Sequence, residues 1–139
     1  MSQKPQEEYE DDDYTAYDER LEQIQGRVLA AIEQAGDAYH GLLYSGGDED
    51  GDELPRDNLN EVTIQGACRI MQKHNEFKGY WGEGGRDFES AALTSPTWLE
   101  LCLVANRMLD TVKDFHHCFL EAVEPVEGKP GVYRFVMGS

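Results

Sequence analysis

The stretch PTWLELCLVANRMLDTVKDFHHCFLEAV, residues 96–123, decides how this chain is read. Trp98, Cys102, Ala105, Leu109, Val112, His116, Phe119 and Val123 recur at steps of three and four. At about 100° per residue they line one helical face. Leu101, Val104, Met108, Phe115 and Leu120 widen it. So broad a stripe predicts a helix packed on both flanks, the central helix of a small bundle. Ser95 is the expected N-cap, with Pro96 at the first helical position, and Pro125 stops the helix.

On the C-terminal side, Val126 and Val132–Met137 flank Glu127-Gly128-Lys129-Pro130-Gly131. A glycine-containing turn between β-prone runs predicts a hairpin. On the N-terminal side, Asn58 and Glu61 have capping-box spacing, and Leu59, Val62, Gly66, Ala67, Ile70 and Phe77 share a helical face. These predict a second helix at 58–76, with a short strand at its start as the rival reading. The first helix is expected over Asp18–Tyr44, on the stripe Leu21, Ile24, Val28, Ile32, Ala35, Tyr39, Leu42 and Leu43, with Gly46 and Gly47 ending it. The expected fold class is α+β, mostly α: a three-helix core with a long central third helix and a C-terminal β-hairpin.

The charge is uneven. The net charge of the 139 residues is −16. Residues 1–20 hold eight acids against Lys4 and Arg20, and residues 46–57 hold six against Arg56. Residues 1–18 also carry Tyr9, Tyr14 and Tyr17 and have no apolar period, so they are expected to form a disordered acidic tail. Residues 19–139 are then one domain with an acidic loop at 46–57.

Concentrated negative charge points to a partner with positive charge. The reading is a non-catalytic acidic binding or regulatory protein that engages a basic surface. In its most specific form it is a nucleic-acid-mimicking inhibitor of a nucleic-acid-binding protein. The expected binding residues are Asp48, Glu49, Asp50, Asp52 and Glu53, with Tyr80 and Trp81 of the glycine-rich stretch Gly79–Gly85 as aromatic anchors. Direct nucleic-acid binding is disfavoured, because acids repel phosphate. Arg69, Lys73, Lys78 and Arg86 make the only basic-leaning region, onto which the acidic tail could fold. A structural or assembly adaptor is the alternative.

The chemical motifs are weak. Aligning Gly51 with the sixth position of a calcium loop puts Gly46 first and Asp57 twelfth, where an acid or amide and a glutamate belong. His116 and His117 point about 100° apart on a helix and cannot share a metal with Cys102, some 21 Å along the axis. No metal or cofactor is expected. The best enzyme alternative is a small hydrolase or metal enzyme using His116 or His117. His116 and Cys102 read as core residues, and Cys68 as the most reactive thiol. Three cysteines without C-x-x-C spacing, no apolar leader and no membrane-length apolar run predict a cytoplasmic protein without membrane contact.

Overall fold

The computed structural model describes residues 4–44, 58–74, 85–115 and 117–138, with side chains from Asp18 onward. In chain order these form α1 (Lys4–Gln34), β1 (Leu43–Tyr44), β2 (Ala67–Gln72), β3 (Phe88–Glu89), β4 (Leu93–Thr94), α2 (Trp98–Val112), β5 (Phe119–Pro125) and β6 (Val132–Gly138). The strands make one mixed sheet in the order β1-β5-β6-β2-β3, with β4 also on β2. This corrects the expected mostly helical fold: the described residues hold two helices and a six-stranded sheet.

The long third helix is the first correction. α2 starts at Trp98 with Thr97 as N-cap, in a capping box with Glu100, and not at Ser95. Its first N–H groups are satisfied from outside: Trp98 donates to Glu61 O and Leu99 to Leu59 O. It ends at Val112, where Lys113 turns left-handed (φ 66°) and donates to Leu109 O. Asp114, Phe115, His116 and His117 follow, all modest helix formers. The apolar residues beyond them pair instead as β5, antiparallel to β6 from Phe119↔Gly138 to Pro125↔Tyr133. The expected hairpin is present, but its first strand begins with Phe119–Val123, residues expected in the helix.

The second helix is replaced by a turn and a strand. Glu61 N–H closes onto Asn58 O, a tight turn and not a helix start. β2 then alternates buried Cys68 and Ile70 with exposed Ala67 and Arg69, a period of two. It lies between β6, parallel through Arg69↔Val132 and Ile70↔Tyr133, and the antiparallel β3 and β4. β3 and β4 are two halves of one broken strand. At the break, Ser90 N–H donates to Ile70 O, and Ser90 Oγ accepts from Ile70 N–H.

α1 differs at both ends from the expected 18–44 helix. Its backbone begins at Lys4, inside the segment read as tail, and stops ten residues before Tyr44. Gly36 takes φ +79°, Gly36 N–H bonds Glu33 O, and Asp37 N–H bonds Ile32 O. This is a Schellman ending, which needs a residue free to enter the left-handed region.

Both helices contribute to one core. Ile24, Val28 and Ile32 of α1 and Leu101, Ala105, Met108 and Leu109 of α2 pack with Ile70, Leu120 and Phe135 of the sheet. The alternate residues of the same strands, Arg69, Arg134 and Glu124 among them, face away. Two glutamine amides complete the sheet where strands run out. Gln25 donates to Leu42 O and accepts from Tyr44 N–H along the outer side of β1. Gln72 likewise donates to Phe135 O and accepts from Phe135 N–H, where β2 parts from β6. Each carboxamide stands in for a neighbouring peptide group, so these edge and gap groups stay hydrogen-bonded.

Candidate functional site

The seven expected binding residues, Asp48, Glu49, Asp50, Asp52, Glu53, Tyr80 and Trp81, lie outside the described residues, as does His116. The structure describes the frame from which the acidic loop starts. Tyr44 and Asn58, the described residues on either side of it, are both buried, and Tyr44 OH donates to Asn58 Oδ1 at 2.7 Å. The Tyr44 ring leans on Trp98, with centroids 5.5 Å apart. The described residues on either side of 45–57 are thus tied through a buried hydrogen bond. Sequence reading missed this clamp, because it had placed Tyr44 at a helix end and Asn58 at a helix start.

Acids locally match many of the cations on the body. Arg69 pairs with Glu89 (2.6 Å), Arg107 with Asp37 (2.7 Å), Arg134 with Glu124 (2.6 Å) and Lys113 with Asp110 (3.1 Å). The Lys113 hydrogen bond, with His40 nearby, holds the Asp110 carboxyl below its usual range. Such exposed pairs stabilise little, but they cancel charge. In the basic-leaning region Arg69 is in an ion pair with Glu89 and the Arg86 backbone N–H donates to Thr111 O, while Lys78 lies outside the described residues.

The histidines close the end of α2. His74 Nδ1 lies 3.0 Å from Val112 O, and a carbonyl can only accept, so this nitrogen donates. His117 Nδ1 is 2.9 Å from Asp114 Oδ2. Among the described residues no group of three His, Cys, Asp or Glu side chains is placed to hold a metal.

The thiol assignment needs correction. Cys68 is 4% exposed, because strand alternation turns it inward, and burial raises its pKa. It is not the reactive thiol. Cys102 is a core residue whose pKa burial pushes up to about 12. Cys118 is the most accessible of the three, but burial and then the Asp114 charge raise its pKa, and Sγ donates to Phe115 O. None of the three environments favours a thiolate nucleophile.

Two grooves remain. One, of about 220 Å³, is apolar and lies beside β1, lined by Leu21, Leu43, Tyr44 and Phe119. The other, of about 230 Å³, gathers Lys73, Lys129 and Arg134 around Met71, Phe88 and Val126. The second could not be read from spacing, because its cations come from the residue after β2, the hairpin turn and β6.

Compared with models of protein families, with curated proteins and with solved structures, the chain matches none. Among the described residues no helix is long and apolar enough to cross a membrane.

Proposed function

We propose that the protein is a non-catalytic acidic binding protein of the cytoplasm that engages a basic surface of a partner. Its most specific form is a nucleic-acid-mimicking inhibitor. The observation that carries this reading is the partition of charge. Acids of the body are spent on Arg69, Arg107, Arg134 and Lys113, while residues 1–20 and 46–57 hold fourteen of the 28 acids with three cations. Unbalanced charge of this kind steers a basic partner and speeds its association. Two features support the mimic form. The backbone of α1 is helical from Lys4, and a helix repeats its positions every ~5.4 Å. The acidic loop also springs from the Tyr44–Asn58 clamp.

An adaptor is the second reading, favoured by the apolar groove beside β1, where Leu43 is 43% exposed. Binding kinetics separate the two. The partner is captured from host lysate, eluted with salt and identified. Association is then measured at two salt concentrations, for wild type and for a variant with Asp48, Glu49, Asp50, Asp52 and Glu53 neutralised. The proposal expects association to slow steeply with salt and in the variant, because screening acts over roughly 10 Å at 0.1 M. Salt-insensitive association with an unchanged on-rate rejects it and favours the adaptor.

A further inference from the structure

The basic groove stands out in a chain of net charge −16. Its polar neighbours are mostly engaged. Arg134 is held by Glu124 through Nε (2.7 Å) and a terminal nitrogen (2.6 Å). Asp87, the acid on the groove wall, accepts the His74 N–H at 2.8 Å. The Gln72 amide is spent on Phe135. Lys73 and Lys129 make no ion pair with any described residue, and both line the groove. Met71, Phe88 and Val126 supply apolar lining to the same groove.

We propose that this groove binds a small organic anion. Its carboxylate or phosphate head sits between Lys73 and Lys129, and a short apolar or aromatic body lies on Met71, Phe88 and Val126. The physical reasons are specific. Two ammonium groups on flexible stems act as point charges and accept either head. A groove of about 230 Å³ is smaller than the roughly 300 Å³ at which drug-sized sites begin, so the ligand is small. The overall negative field opposes a polyanion across the whole surface, whereas a small anion meets mainly the local cations. None of the described residues that line the groove belongs to the acidic clusters, and the proposal does not depend on the protein-binding reading.

The test is an amide-resolved NMR titration of the full chain with four probes: phenyl phosphate, benzoate, inorganic phosphate and benzyl alcohol. The expected result is that phenyl phosphate or benzoate shifts the amides of Lys73, Phe88 and Lys129. It should bind at least tenfold more tightly than benzyl alcohol or inorganic phosphate. Whichever of the two binds more tightly identifies the head group. The double variant Lys73→Met, Lys129→Met should weaken that probe at least tenfold while its spectrum keeps the wild-type dispersion. Either substitution is at an exposed position, so the fold should survive. The proposal is overturned if neither organic anion binds, if benzyl alcohol binds as well, or if the variant binds with unchanged affinity. It is also overturned if inorganic phosphate matches phenyl phosphate, since the apolar surfaces would then contribute nothing.

Discussion

The two faces of the sheet are built from alternate residues of the same strands, yet different forces hold them. On the helix side Ile70, Leu120 and Phe135 are buried with Leu101, Met108 and Leu109 of α2. On the other side Arg69 pairs with Glu89 and Arg134 with Glu124, all in reach of solvent. The first face gains from removing apolar area from water. The second gains little energy, but it fixes where charge is cancelled and where it is left over. Apolar burial is concentrated on one face and charge pairing on the other, and Lys73 and Lys129, at the end of β2 and in the hairpin turn, make no ion pair with any described residue.

The largest expected effect tests the covered face. Leu109→Ala should destabilise by about 2–5 kcal/mol, the cost of a cavity in a closely packed core. Val136→Ala, on the other face, should cost about 1 kcal/mol or less. Denaturant melts of both variants measure the contrast. Equal losses would mean that the outer face is also covered, and the comparison would fail.

A middle-sized effect probes the seam between β2 and β6. Gln72→Ala leaves the N–H and carbonyl of the buried Phe135 without the amide, at a cost of about 1–3 kcal/mol. Faster amide exchange confined to Phe135 and its neighbours, together with a lower denaturant midpoint, is the expected pattern. An unchanged midpoint would show that the glutamine only decorates the gap.

The smallest effect sharpens the comparison from the charged side. Arg69→Ala removes an ion pair whose side chains are about half exposed, so thermal melts at low salt should show a loss of about 0.2–1 kcal/mol that shrinks as salt rises. A loss above 2 kcal/mol would give the outer face a structural role that the covered face is assigned here.

Some of this was legible in the sequence and some was not. Cys102 reads as a core residue from its place in the apolar stripe, and it is buried. The Gly36 stop and the Thr97–Glu100 box were also present as local signals, but stronger-looking punctuation at Gly46 and Ser95 hid them. The period-two alternation at Cys68 and Ile70 was masked by a helical reading of the same apolar residues, since a short run fits both periods.

By itself the sequence determined the apolar first three turns and more of α2, the glycine turn of the hairpin and the concentration of charge in two segments. Each depends on neighbours in sequence. Only the tertiary structure decided that residues 67–72 and 119–125 are strands, because each is stabilised by partners far along the chain: Val132 and Tyr133 for the first, Leu43 and Tyr44 for the start of the second. The same long-range pairing brought Lys73, Lys129 and Arg134 to one groove. A helix forms its hydrogen bonds within itself and can be read locally, whereas a sheet forms them between distant segments and becomes readable only when those segments meet.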